Sequence, residues 1–326
     1  MSADILVLSE HIQGKPLDVT FEMLGLARKL AGELGGRVYA LALGAQAAQV
    51  ASQLGAADVV ILAAEDAPEQ PAPEVALAAL QTCIESKGIS LVLLGGTNAV
   101  LGIGARLAAR TRLPFVNFCK GIRLDNGTLL ATSALLGGKI MSDVRLPDNK
   151  GILSIASGSA PADAGRSTKA PVIEKLALPS VPAKVVFRRL IEPAGGDVDI
   201  TKMDILVSVG RGIQNADNIP LADELAKVMG GAVSASRPVV DQGWLPLTRQ
   251  VGKSGMSVSP KLYLALGISG APEHWEGMKG AQMVVAINTD PKAPIFNFAH
   301  YGATVDCLEF IESMKAAVEK RKSSSS

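Results

Sequence analysis

The chain reads as an α/β protein of two domains, and three features predict this. Its 326 residues suffice for two ordinary domains, each burying a core of its own. In the first half, short apolar runs alternate with helix-period patterns, the rhythm of a parallel sheet covered by helices on both faces. Near Val198 a second series begins, in which the apolar run Ile205 to Val209 leads straight into Gly210-Arg211-Gly212. The expected boundaries are 1–197 for the first domain and 198–322 for the second. A polar tail without periodicity, 323–326, is expected to be disordered.

Element by element, Ile5 to Leu8 predicts the first strand. Met23, Leu26, Ala27, Leu30 and Leu34 follow at helical spacing and stop at Gly35-Gly36. Val38 to Leu41, Asp58 to Leu62 and Ser90 to Leu94 predict three more strands. Helices are expected around Val75 to Ser86 and Gly104 to Ala109. From Val116 the pattern changes to strand pairs, with Asp125-Asn126-Gly127 as a hairpin turn. Ser157 to Arg166 is loop-like, and Pro179 to Pro193 has the look of a strand-bearing linker. In the second domain, Leu221, Leu225, Val228 and Met229 share one helical face that Gly230-Gly231 ends. Leu262 to Ile268 and Met283 to Ile287 predict buried strands, and a last helix is expected from Asp306 to Lys320.

Composition narrows the function. Hydrophobic residues at 48%, charged residues at 19% and a net charge of +1 give no electrostatic reason to seek nucleic acid or an acidic membrane. No apolar run approaches the ~18 residues of a membrane span. Asp4 and Glu10 stand where a secretory signal would be basic, so a cytoplasmic protein is expected; an organellar one without its presequence would look the same. Cys83, Cys119 and Cys307 are scattered and lack metal spacing, as reduced, buried thiols would be.

Several short motifs invite chemistry. Gly210-Arg211-Gly212 is half of a dinucleotide fingerprint, but the third glycine would fall at Asn215, so a plain tight turn fits equally. Arg211 adds a guanidinium fork suited to a pyrophosphate. Gly252-Lys253-Ser254 imitates a P-loop, yet the required upstream glycine is Leu247 and no strand precedes it, which excludes a nucleotide hydrolase of that type. Gly95-Gly96-Thr97-Asn98 through Gly104 follows a strand and opens a helix, consistent with phosphate binding or with tight helix-on-sheet packing. No nucleophile–base pair, metal cluster or catalytic dyad is evident.

Four longer words occur in order: GRGIQN, SASRPVVDQGWLPLTRQVGKSG, ALGISGAPEHWEGMKG and VVAINTDPKAPIFNFAHYGATVD. Together they resemble the C-terminal domain of the α subunit of electron transfer flavoprotein, which holds an FAD. Over the first half the resemblance is looser, through ILVLSEH and the GGT…RLAART segment. There SIASGSAPA departs from an expected word bearing arginine and phenylalanine. The resemblance implies an N-terminal parallel-sheet domain of the nucleotide-hydrolase-like type and a C-terminal Rossmann-like FAD-binding domain.

Site roles follow from the same resemblance. Arg211 corresponds to an arginine against the FAD diphosphate. Ser236 and Arg237, in SASRPVVD, match GASRAAVD, whose guanidinium lies over the isoalloxazine ring near N5 and O4; such a cation favours the reduced, anionic flavin. Gln250, Val251, Gly252 and Gly255 match QVGQTG, with Lys253 replacing glutamine. Ser254, replacing threonine, keeps the hydroxyl that bonds near N5. Gly267, Ser269, Gly270 and Ala271 bring backbone close to the cofactor, and His274 corresponds to the histidine that donates to flavin O2. Asn288 and Asp306 match contacts to the adenosine half. His300 stands where the family has aspartate, and either titrates near the cofactor or faces solvent.

The implied function is electron carriage by a heterodimer with an electron transfer flavoprotein β subunit, packed mainly on the first domain. FAD would accept electrons from flavin dehydrogenases such as acyl-CoA dehydrogenases, in fatty acid oxidation. It would deliver them to a quinone-linked oxidoreductase or another acceptor, with no substrate transformation of its own. The alternative is electron bifurcation, in which a second FAD takes hydride from NADH. A non-redox nucleotide-binding protein on the same folds is a reading of another class.

Overall fold

Uninterrupted apolar runs predict strands buried on both faces, and in the computed structural model they form two sheets. The structure describes residues 3–178, 181–190 and 198–323. It divides into two units, Met1–Arg189 and Leu190–Ser326.

The first unit runs β1 (Ile5–Leu8), β2 (His11–Ile12), β3 (Lys15–Pro16), α1 (Asp18–Leu34), β4 (Val38–Leu43), α2 (Ala47–Ala51), β5 (Val59–Ala63) and α3 (Pro73–Lys87). It continues with β6 (Leu91–Gly95), α4 (Ile103–Thr111), β7 (Phe115–Asp125), β8 (Thr128–Leu135), β9 (Ile140–Arg145), β10 (Gly151–Ile155) and β11 (Val172–Leu176). The sheet order is β11-β5-β4-β1-β6-β10-β7-β8-β9, parallel from β11 to β7 and antiparallel beyond. Helices α1 and α2 pack with Val7, Ala40 and Leu93 on one face; α3 and α4 pack with Leu6, Leu41 and Val92 on the other. The expected hairpin turn joins β7 to β8, with Asn126 and Gly127 both at positive φ, as a two-residue turn of this hand requires.

Two expectations need correction. The strand pairs expected from Val116 are β7 with β8 and β8 with β9, but β10 was not anticipated: Gly151 to Ile155 pairs parallel between β6 and β7. The pattern of β10 is short and buried on both faces, which periodicity alone does not identify. The strand-bearing linker at 179–193 shows no strand in its described part, 181–190; its other residues lie outside the described set. The strand is β11, just upstream, closing the sheet against β5.

Ser157 to Arg166 is a loop with one 3-10 turn, Ala162–Gly165. It is anchored by the buried Glu22 carboxylate, which accepts from Gly158 N at 2.9 Å and Ser159 N at 3.2 Å. In the Gly95–Gly104 segment, packing accounts for Gly95, Gly96 and Gly104, while Gly102, at φ 81, has open space around it. A Cβ at Gly95 would overlap the Glu10 carboxylate, and one at Gly104 would overlap the Phe115 ring.

In the second unit follow β12 (Ile205–Val209), α5 (Ile219–Met229), β13 (Ala232–Ala235), α6 (Arg237–Asp241), β14 (Leu262–Leu266), α7 (Pro272–Met278), β15 (Met283–Ile287), β16 (Tyr301–Ala303) and α8 (Cys307–Ser323). All five strands are parallel, ordered β13-β12-β14-β15-β16. Gly230, at φ 76, ends α5 as expected. The last helix extends to Ser323, into the segment expected to be a tail; Ser324 to Ser326 lie outside the described residues.

Two glycines of the first unit should respond oppositely to alanine. Gly32, inside α1, has open space around it, so Gly32→Ala should stabilise by about 0.5–1 kcal/mol. A Cβ at Gly165 would overlap the Phe21 carbonyl, so Gly165→Ala should cost about 1–3 kcal/mol. Urea unfolding of both variants measures the contrast.

Candidate cofactor site

In a parallel sheet the loops after the strands gather along one edge. Ligands of such sheets sit where neighbouring strands send their chains to opposite sides. In the second unit that place lies between β12, which continues to β13, and β14, which begins the other side. Gly210-Arg211-Gly212 leaves β12 there, and Gly267 to Ala271 leaves β14. The two turns touch backbone to backbone. A Cβ on Gly210 would overlap the Gly267 carbonyl, and one on Gly212 would stand 2.5 Å from Gly267 Cα. Gly267 itself has φ 62, a conformation that favours glycine.

The remaining predicted residues occupy the same edge. Ser236 and Arg237 follow β13, Asn288 follows β15, and Asp306 follows β16 and leads into α8. A bridge between Ala235 and Gln250, with Val251 N donating to Ala235 O at 2.8 Å, brings in the loop that carries Gly252, Lys253 and Ser254. Thus the predicted site residues lie on loops at the carboxyl ends of the strands, on the loop docked on them, or, for Arg237 and His274, in the first turns of α6 and α7.

Their side chains differ in what they leave available. Arg211, Arg237, Lys253, Ser254 and Ser269 are exposed. Arg237 pairs with Asp241 at 3.3 Å across one turn of α6. Ser236 is buried, and its N–H donates to Val209 O. Gln250 is buried and donates from Nε2 to Ser254 Oγ at 3.0 Å, setting the position of that hydroxyl. Val251 packs in the core and offers backbone only. Gly270 lies so close to Ile295 that no side chain fits there, and the adjoining Ala271 is exposed as the N-cap of α7.

Asn288 and Asp306 are partly spent on structure. Asn288 donates from Nδ2 to Ile268 O at 2.9 Å and accepts from Asp290 N at 3.0 Å, tying the β15 loop to the β14 loop. Asp306 accepts from Leu308 N at 2.7 Å through Oδ1, capping α8, while Oδ2 lies 3.4 Å from Gln214 Nε2. His300 faces solvent, the second of its two expected settings. Its Nδ1 also accepts from Val284 N at 3.0 Å, near the beginning of β15. Four residues of strand, about 13 Å, separate that amide from Asn288.

His274 is buried, with Nε2 2.9 Å from Tyr263 Oη. Its Nδ1 is enclosed beside the Val251 backbone without an aligned hydrogen bond. Burial pushes the imidazole down to about 4, against a smaller opposing pull from Val251. Sequence reasoning missed the partners that hold this histidine and the first loop. Tyr263 was signalled only as the polar letter in LYLAL, and Cys307, whose thiol lies 3.1 Å from Gly212 O, by nothing local.

The comparisons with known proteins agree with this geometry. Residues 5–181 match the electron transfer flavoprotein domain, and residues 199–279 match the electron transfer flavoprotein FAD-binding domain. The chain belongs to the electron transfer flavoprotein α-subunit family. Electron transfer flavoprotein subunit alpha of Thermoanaerobacterium thermosaccharolyticum is 34% identical over 98% of both chains. The same subunit of Methylophilus methylotrophus is 33% identical over 96% of this chain and 98% of its own. A third relative, 32% identical over 97% of this chain and 77% of its own, is the lactate dehydrogenase (NAD(+),ferredoxin) subunit LctC of Acetobacterium woodii.

Membership of this family makes the second unit an FAD-binding domain, gives the chain a role in electron transfer and implies a β-subunit partner. The residues present fit that cofactor. Exposed cations suit a pyrophosphate, the side-chain-free turns admit close backbone approach, and the buried histidine is neutral and polar. Among the described residues no helix is long and apolar enough to cross a membrane.

Two outcomes follow. A depressed histidine pKa contributes stability that is present above about 6.5 and is lost as pH falls toward 4. Its size is about 3 kcal/mol. His274→Gln should remove that part of the acid-side slope in unfolding measured from pH 7 to 4. Gly267→Ala, strained in φ and blocked by Gly212, should cost about 2–4 kcal/mol and weaken FAD binding, read by denaturation and flavin titration.

Proposed function

We propose that the protein is the FAD-bearing half of a heterodimeric electron carrier. It accepts electrons from flavin dehydrogenases, acyl-CoA dehydrogenases among them, and passes them to a quinone-linked oxidoreductase or a comparable acceptor. The observation that carries this reading is the gathering of Arg211, Arg237, Lys253 and Ser254 along the carboxyl edge of a sheet matched to an FAD-binding domain. Bound FAD supplies the redox chemistry, taking up electrons and returning them. Arg211 holds the diphosphate by its guanidinium fork, beside the turns in which Gly210 and Gly212 leave space for backbone approach. Ser254 presents its hydroxyl to the ring, oriented by Gln250. Arg237 would stand beside the ring, where a cation would favour the reduced state. Asp241 and solvent moderate that effect. The β subunit packs mainly against the first unit.

A second reading is electron bifurcation, favoured by one observation: the Acetobacterium woodii relative is named as a subunit of an NAD(+),ferredoxin lactate dehydrogenase. There the second FAD would be held mainly by the partner chain, so the loops of this chain would be the same in both readings. Cofactor content separates them. One FAD with AMP per heterodimer and no reduction by NADH is expected; two FADs and rapid reduction by NADH would establish bifurcation instead.

Arg237→Ala should lower the flavin potential with the fold intact. About 1 kcal/mol remains after screening of the exposed cation, equivalent to about 40 mV per electron. Arg237→Lys should fall between, keeping charge but losing the planar fork. Spectroelectrochemistry of the three proteins decides; an unchanged potential in the alanine variant would remove this arginine from the ring.

A further inference from the structure

Strand β14 reads LYLAL, and its tyrosine stands among Leu206, Ala265, Met278 and Val284 in an apolar cluster. Tyr263 is fully buried, and a buried hydroxyl is costly unless hydrogen bonded. Its oxygen lies 2.7 Å from Ser208 Oγ, itself buried on β12, and 2.9 Å from His274 Nε2 in the first turn of α7. The three groups form a polar line from the middle of the sheet to that helix.

The buried Ser234 hydroxyl of β13 also stands beside this phenol and can donate to it in either case. Along the line from Ser208 to His274, two proton orders satisfy these distances. If the phenol donates to Ser208, then Nε2–H must donate to the phenol oxygen, leaving the Nδ1 lone pair against the Val251 backbone. If the phenol donates to Nε2, the Ser208 hydroxyl donates to the phenol, and Nδ1 carries the proton beside Val251. The second order is favoured, because an imidazole nitrogen is the stronger acceptor and an N–H suits a carbonyl better than a lone pair does. Burial lowers His274 to about 4 and moves Tyr263 well up, so both remain neutral.

The same helix supports the cofactor loop. Lys253 N donates to Glu273 O at 2.7 Å, Val258 N donates to Gly277 O at 2.8 Å, and Gly277 lies against Gly252 too closely for a Cβ. A hydroxyl on the sheet therefore reaches, through His274 and α7, the loop that bears Gln250 and Ser254.

We propose that Tyr263 is a positioning residue of the flavin site, holding His274 as the Nδ1–H tautomer and, through α7, setting the place of the Gly252–Ser254 loop. The second half of this statement rests on the flavin reading above; the tautomer does not.

The test uses the heterodimer with its histidines labelled with ¹⁵N, with and without FAD. At neutral pH, two-bond ¹H–¹⁵N correlations should show His274 protonated on Nδ1 in both forms; protonation on Nε2 overturns the proposal. Tyr263→Phe keeps the ring and its packing but strands Nε2. It should lose the single-tautomer pattern, shift the flavin potential and weaken FAD binding about tenfold. Wild-type tautomer, potential and affinity in that variant would overturn the positioning role. Should Tyr263→Phe fail to fold, the wild-type spectrum still decides the tautomer. Ser208→Ala then tests the line from its other end, with a smaller loss in the same direction expected and no change overturning it. A folded heterodimer with the Nδ1–H pattern that takes up no FAD would overturn the flavin half alone.

Discussion

The second unit depends on a single close approach: the turn after β12 lies directly on the turn after β14, backbone against backbone. Neither Gly210, Gly212 nor Gly267 has room for a side chain, so main-chain atoms set the geometry of the edge. That contact bears on everything built around it. Gly212 O is held by the Cys307 thiol at the start of α8, and Ile268 O by the Asn288 side chain. The loops after β12, β14, β15 and β16 are thereby tied together before any cofactor is considered. Such pre-organisation reduces the ordering cost that a large, flexible dinucleotide would otherwise impose on binding.

Against that rigid edge the ionic side chains are comparatively free. Arg211 and Lys253 are exposed, and Arg237 shares its charge with the exposed Asp241. Of the buried polar groups, Gln250 donates to the Ser254 hydroxyl, and Tyr263 lies within hydrogen-bond distance of Ser208 and His274. The site thus combines a closely packed neutral framework with exposed charges at its rim. This suits a redox centre, because potential is sensitive to position and charge whereas affinity is distributed over many contacts.

Much of this was legible in the sequence, for identifiable reasons. Strands such as Ile205 to Val209 and Met283 to Ile287 are short and apolar and end at polar or glycine-rich loops, so their place and the edge they serve could be read directly. Gly230 and Gly35 end helices in the left-handed conformation their positions suggest. β10 escaped because nothing in GILSI states that it will be threaded between two strands made earlier. Tyr263 escaped because its function lies in a partner eleven residues away on another element. His300, expected either near the cofactor or facing solvent, is exposed, and its Nδ1 also accepts from a backbone amide of β15, a contact that depends on strand register.

The threading of β10 has a consequence for how the protein is made. A ribosome delivers β6 and β7 well before Gly151 to Ile155, and β10 takes its place between them. Until then the two strands have facing edges with unpaired amides and carbonyls, and the outer strand β11 arrives later still to complete the opposite side. The nascent first unit must therefore wait, partly assembled and with open edges, for most of its length to emerge. That interval is when chaperones are most needed and when mispairing with another chain competes with folding.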